Sequence, residues 1–257
     1  MVNFVFCMAH FCEIHGPVTV LCTQRKESEL SAKSSYARCE SCSLVLPSGI
    51  TSVATDFEDL VTKEVANGLS PQPSYGNTSG LGAHFKMDAK MKSSQQEILE
   101  KVTYVSTLYP QSERIFTCLT KLVMKCLSVE AVAEPLKPIF FGDTNTGYSL
   151  SRIFSINDLH ARGGERKYAL MVVCDSERAL LSNWEMASAF IAEIILLLQR
   201  NVETHMESTK LETGENGRYL RRAKTIPRSL VQLTGDNEIF MKLHQCGTEV
   251  LRSMQIP

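Results

Sequence analysis

Apolar positions in this chain gather near the N-terminus and through its second half, with a long polar tract between. Residues 2–9 form an apolar run, residues 10–17 turn, and residues 18–23 form a second run rich in β-branched side chains. Two such runs around a Gly16-Pro17 corner predict an antiparallel hairpin, with His10 and His15 as hydrogen-bonding residues of its turn. Over 112–127 the pattern changes period. Ile115, Leu119, Leu122, Val123 and Cys126 recur three and four apart, which puts them on one face of a helix. Three further runs at 139–141, 148–156 and 168–174 read as strands, the first two joined by a turn at 142–147. Ser182-Asn183-Trp184-Glu185 has the spacing of a capping box, flanked by Leu181 and Met186 as a hydrophobic staple. The helix it predicts runs to about Val202 and buries Phe190, Ile191, Ile194, Ile195 and Leu198. A last helix is predicted over 236–254, with Phe240, Leu243, Gly247, Val250 and Leu251 facing inward.

The order is two strands, a helix, three strands and two helices. It predicts one α/β domain over 1–257, a five-stranded, mainly antiparallel sheet packed with three helices. Residues 25–106 read as a long, largely flexible insertion, because composition such as NGLSPQPSYGNTSGLG cannot repay the entropy of ordering it. Only 52–65 within it has helical spacing, through Phe57, Leu60, Val61 and Val65. Residues 203–235 read as a basic linker before the last helix.

Composition narrows the function classes. A formal net charge of −1 gives no global field toward nucleic acid, so any basic surface is local. Nine cysteines, an odd number without a cleavable leader, predict a reducing, intracellular setting. In that setting the acceptor pattern Asn77-Thr78-Ser79 carries little weight. The apolar stretch 186–198, interrupted by Glu193, is too short and too charged to span a bilayer.

Candidate chemistry is sparse. Cys39-Glu40-Ser41-Cys42 is half of a zinc-ribbon pattern, with no second CxxC beside it. Free surface thiols are therefore the expectation, with neither metal nor cofactor. No phosphate-loop, GxSxG, HExxH or kinase pattern is present. Asp143, Asp158 and Asp175 sit beside strand ends without forming a triad by spacing, so turnover of a small molecule is not expected. Arg218, Arg221, Arg222, Lys224 and Arg228, interleaved with apolar residues, suit membrane phosphates or an acidic partner. A solvated linker is the plainer reading. Residues 160–164, HARGG, place Arg162 beside two glycines. A guanidinium offers five donors to phosphate oxygens, and an arginine supplied in trans can offset the charge that builds up in GTP hydrolysis. Exposed loop arginines are, however, usually solvated.

Several motifs in series add a resemblance. His10-Phe11-Cys12-Glu13-Ile14-His15-Gly16-Pro17, the Cys39/Cys42 pair, Pro138-Ile139-Phe140-Phe141-Gly142-Asp143 and Asp158-Leu159-His160-Ala161-Arg162-Gly163 match the pattern of the folliculin family. Arg166-Lys167-Tyr168, Asn183-Trp184, Arg228-Ser229-Leu230, Leu233-Thr234 and Asp236-Asn237 extend the match. In particular the chain resembles short fungal members. The resemblance implies a longin-type domain without the DENN-type domain of larger members. It departs at Val129 and Val132, where larger members carry another CxxC. It further implies a longin–longin heterodimer with the fungal counterpart of folliculin-interacting protein. Such a complex activates Rag-type GTPases at the cytosolic face of the vacuolar membrane, in amino-acid signalling to TORC1. By motif position the arginine finger falls on Arg162, with Asn157, Asp158 and His160 shaping its loop. A non-catalytic longin scaffold and an exchange-factor subunit for a Rab-type GTPase are the competing expectations.

Overall fold

The computed structural model describes residues 3–26, 39–47, 60–63, 103–110, 112–128, 137–213 and 226–254, with backbone course only at 60–63, 103 and 210–213. The Asn77-Thr78-Ser79 pattern, most of the 52–65 helix and Arg218 to Lys224 lie outside the described residues.

The N-terminal apolar runs form β1 (Phe4–Cys12) and β2 (Gly16–Arg25), paired antiparallel. Two short strands follow, β3 (Leu60–Lys63) and β4 (Thr103–Thr107), and then helix α1 (Glu113–Ser128). The three later runs become β5 (Ile139–Asp143), β6 (Gly147–Asn157) and β7 (Glu165–Cys174). Helices α2 (Glu177–Ser182), α3 (Trp184–Thr213), α4 (Leu230–Thr234) and α5 (Ile239–Met254) complete the chain. Among the described residues the sheet has seven strands in the order β3-β4-β2-β1-β7-β6-β5, every pairing antiparallel. No helix among them is long and apolar enough to cross a membrane.

Period-two alternation decides which face each strand residue serves. Phe4, Phe6 and Met8 of β1 join Tyr168, Leu170 and Val172 of β7 in one core, covered by α3 and α5. Val5, Cys7 and Ala9 join Ala169, Met171 and Val173 in a second core, covered by α1 through Leu119, Leu122, Val123 and Cys126. Helix α5 lies close on the first face because Gly247 has no side chain. A Cβ there would come within 2.8 Å of Phe6 and 2.9 Å of the Thr23 hydroxyl. β1 and β7 are thus apolar on both faces, which makes the centre of the sheet the heart of the domain.

The α/β, antiparallel plan agrees with the longin-type expectation. Several details differ from it. The sheet has seven strands and not five, since the 25–106 tract contributes β3 and β4. Leu60, Val61 and Lys63 lie on a strand, against the helix expected over 52–65. Among the described residues there are five α-helices and not three, because α2 and α4 are short additions. Ser182 does not begin a helix. It is the last residue of α2, and its hydroxyl donates to the Arg178 carbonyl; the Asn183 carbonyl accepts the first bond of α3. A capping box does form elsewhere, at Ser229 and Gln232, where side chains and backbone bond reciprocally ahead of α4. Helix α3 continues past Val202 to Thr213, so the expected 203–235 linker is helical at both ends. β1 likewise runs through Cys12, which places His10 within the strand, fully buried and stacked on Tyr168 at 5.4 Å between ring centres.

Candidate functional site

β6 ends at Asn157 and β7 begins at Glu165, and the seven residues between them carry Arg162. Their shape comes from Asp158, which is 1% exposed. One carboxylate oxygen accepts the His160 N–H at 3.0 Å and Arg228 Nη1 at 3.3 Å; the other accepts Arg166 Nε at 2.6 Å. Backbone bonds from Asp158 N to Gly164 O, Ala161 N to Asp158 O and Gly164 N to Ala161 O close the turn. Gly163 and Gly164 adopt φ of 82° and 78°, a region where a side chain is strained. A Cβ at either position would meet nothing within 4 Å. Conformation and not crowding therefore requires glycine, and the space beside the loop stays open.

Arg162 heads a short 3-10 turn, Arg162–Gly164, and is exposed. Its backbone N–H donates to Glu13 Oε1 at 2.6 Å, across from the β1–β2 turn. Its guanidinium makes no hydrogen bond or ion pair with any described residue. Arg166 is the opposite case. At 5% exposure it donates to Asp158, to Ser41 Oγ at 3.2 Å and to the Ile226 carbonyl at 2.6 Å. Such a pair in low dielectric is tolerable only with these further bonds. Arg228 also turns inward, to Asp158 and to the Gln232 carbonyl at 2.8 Å, so this member of the basic cluster serves the loop. An open groove of about 620 Å³ runs beside the loop, lined by Glu40, His160, His205, Arg228 and Gln232 among others.

Directly under the loop, the β1–β2 turn and the CxxC meet. Cys39-to-Cys42 winds into a 3-10 turn, with Cys42 N–H on the Cys39 carbonyl at 3.0 Å. Cys12 Sγ lies 3.5 Å from both Cys39 Sγ and His15 Nδ1, and Cys42 Sγ lies 3.6 Å from Cys39 Sγ and 3.5 Å from His15 Nδ1. All four donor atoms fall within 4.8 Å of one another. His10 Nε2 sits 3.3 Å from Cys42 Sγ, and the Ile14 N–H donates to Cys12 Sγ at 3.4 Å. Pairing with Cys42 is the main cause holding the Cys12 thiol well below its usual range, aided by backbone N–H donors; the same pairing pushes Cys42 up. Cys42 is 1% exposed, so the expectation of two free surface thiols fails. The second half of this donor set went unread because it is a Cys12-x-x-His15 within the hairpin corner, a spacing that passes for turn chemistry.

The other candidates are structural. Asp143 accepts the Asn145 and Thr146 N–H groups at 2.8 Å and fixes the β5–β6 turn; those backbone bonds hold its carboxyl below the ordinary range. Thr23, Ser106 and His244 form a buried chain, with Ser106 Oγ 2.7 Å from His244 Nδ1. Burial lowers the His244 pKa from 6.5 to about 4. With Ser106 fully buried and His244 2% exposed, no substrate reaches this pair.

Comparison with known proteins adds what geometry does not. The family model described as "Folliculin: Vesicle coat protein involved in Golgi to plasma membrane transport" matches residues 102–254, a span that includes the arginine loop. The chain is 25% identical to folliculin of Xenopus tropicalis over 98% of its own length and 45% of that protein. It is 24% identical to the folliculin-like protein bhd1 of Schizosaccharomyces pombe, covering 84% of this chain and 76% of bhd1. With protein LST7 of Saccharomyces cerevisiae it shares 23% identity over 99% of this chain and 97% of LST7. The chain thus spans about half the length of the animal relatives and nearly all of LST7. With its model matched over more than half of the chain and the arginine loop inside that span, the chain belongs to the folliculin family.

Proposed function

We propose that this chain is a GTPase-regulating subunit that supplies Arg162 in trans to a Rag-type GTPase. One observation carries the reading. An exposed guanidinium without a partner among the described residues stands on a loop whose base is locked by Asp158, Arg166 and Arg228. A side chain presented in this way loses little further backbone freedom on docking and offers its donors to the charge that develops between the β- and γ-phosphates. The chain itself turns over no substrate in this scheme.

The partner in this proposal is the fungal counterpart of folliculin-interacting protein, and the setting is amino-acid signalling to TORC1 at the vacuolar membrane. Strand β5 supports a sheet-to-sheet pairing. Its outer edge has no neighbour among the described residues, and Ile139, Phe140 and Phe141 are only partly buried. Single-turnover hydrolysis by the Rag heterodimer, stimulated by the wild-type complex or by one carrying Arg162→Ala, tests the assignment. Loss of roughly 10³–10⁵-fold in stimulated rate with binding intact is expected. Equal stimulation by the two complexes would remove Arg162 from the chemistry and leave the scaffold reading.

A further inference from the structure

We infer that Cys12, His15, Cys39 and Cys42 bind one tetrahedral Zn²⁺, and that this ion fixes the two turns on which the Arg162 loop rests. The distances make the first half of the case. With Zn–S of about 2.3 Å and Zn–N of about 2.0–2.1 Å, a tetrahedron has S···S edges of roughly 3.8 Å and S···N edges of roughly 3.5 Å. The cluster has S···S separations of 3.5 and 3.6 Å and two S···N separations of 3.5 Å. Four of the six donor–donor edges thus have the lengths one ion requires, and the other two are no longer than 4.8 Å. They are too close together to enclose a polynuclear iron–sulfur centre.

The donor set selects the metal. Three thiolates and one imidazole are soft to borderline ligands, suited to zinc and unsuited to magnesium or calcium. Among the described residues no cysteine is in a disulfide, so these sulfurs keep the capacity to ligate. The surroundings supply what a thiolate-rich site needs. His10 Nε2 and the Ile14 N–H lie at hydrogen-bond distance from Cys42 and Cys12 sulfur and can offset the charge that remains after three thiolates meet one dication. Cys12 and Cys42 are buried while His15 is exposed, which gives the ion an entry side and shields the rest. Coordination sends the remaining thiol protons to solvent, with no change of oxidation state.

The second half concerns the residues inside the two ligand pairs. Glu13, between Cys12 and His15, accepts the backbone N–H of Arg162. Ser41, between Cys39 and Cys42, accepts a guanidinium N–H of Arg166. Each ligand turn therefore presents its interior residue to the loop, and an ion joining the turns fixes both acceptors together. Residues 12–15 and 39–42 are separate in sequence and meet through thiol–thiol and thiol–imidazole contacts, which an ion would replace with bonds. The positioning claim rests on Arg162 being the functional side chain; the metal claim does not.

The whole chain, purified without chelator, is expected to carry one zinc by elemental analysis. After stripping, Co²⁺ alone is expected to give intense tetrahedral d–d bands with sulfur-to-metal charge transfer. Cys42→Ser is expected to lose the zinc, while Cys118→Ser, outside the cluster, keeps it. His10→Phe is expected to weaken zinc binding by about 10–100-fold. Should Cys42→Ser fail to fold, His15→Cys is expected to retain one zinc with the charge-transfer bands of four sulfurs. Wild-type protein with no zinc and no tetrahedral Co²⁺ bands overturns the site, and so does a folded His15→Cys chain that binds neither ion. For the positioning claim, stripping zinc is expected to speed amide exchange at 158–164 by about tenfold or more, with α5 unchanged. Unchanged exchange there overturns it. If zinc binds and protects the loop while neither form stimulates GTP hydrolysis, the proposed function fails and the metal site stands.

Discussion

Arg162 and Arg166 lie four residues apart and live in opposite surroundings. Arg166 is buried and fully engaged at the base of the loop; Arg162 is exposed at its tip and held only through its backbone. The base is fixed by its hydrogen bonds, and the tip is left open for the docking proposed above. A charged side chain on a floppy loop would give up binding free energy each time it was ordered. Putting the rigidity into Asp158, Arg166 and Arg228 leaves only the side-chain torsions of Arg162 to be fixed on docking.

The division can be broken from either side. The largest effect is expected from Arg162→Ala, roughly 10³–10⁵-fold in stimulated GTP hydrolysis with an unchanged melting temperature. Arg166→Met should do the reverse first. It leaves the buried Asp158 carboxylate with only Arg228 and the His160 N–H as partners and is expected to destabilise the domain by about 3 kcal/mol, read by denaturant unfolding. The double change Arg166→Met with Asp158→Leu is expected to recover a large part of that loss, whereas additive losses would show that the pair is not the unit of stability.

A smaller effect separates the loop from the core. The folded His244 has a pKa of about 4 against 6.5 when unfolded, because burial disfavours its charged form. The unfolded chain thus binds a proton that the folded chain refuses, and stability is lost as pH falls from about 6.5 to about 4. With His244 2% exposed, the loss approaches about 3 kcal/mol at the acid end. Unfolding free energies measured across that window should flatten in His244→Gln, which keeps an acceptor for Ser106; an unaltered acid limb would place the proton uptake elsewhere. Least of all is expected from Gly163→Ala, about 1–2 kcal/mol from its positive φ, with no clash to add. If that change lowers GTPase stimulation more than stability, the shape of the tip matters beyond holding Arg162.

Most of the fold is legible where the apolar pattern is long. The central strands β1 and β7 announce themselves as unbroken apolar runs, and the α1 stripe and α5 through their helical period. β3 and β4 do not, because Leu60–Lys63 and Thr103–Thr107 are four and five residues long and lie in or beside polar sequence. Their order comes from pairing with β2 and with each other, which no local window contains. The Ser182 signature misleads for a related reason: a box of the right residues is also compatible with the end of one helix abutting the start of the next. Arg162 could be singled out as exposed beside glycines, yet the residues that brace it are spread over five segments. Glu13, Ser41, Asp158, Arg166 and Ile226 meet only in three dimensions. The thiol–imidazole cluster was half visible, as Cys39 and Cys42; Cys12 and His15 gave no sign of belonging with them.

The pairing of β1 with β7 has a consequence for how the chain is made. Phe4 must find Cys174, and Met8 must find Leu170, before the middle of the sheet exists. During synthesis the β1–β2 hairpin leaves the ribosome long before β7 and waits with apolar side chains on both faces. Contacts so distant in sequence close slowly, since the loop between them must first be brought together. The nascent hairpin is therefore the segment of this protein that chaperones would be expected to shelter, and the one through which a slow-folding variant would aggregate.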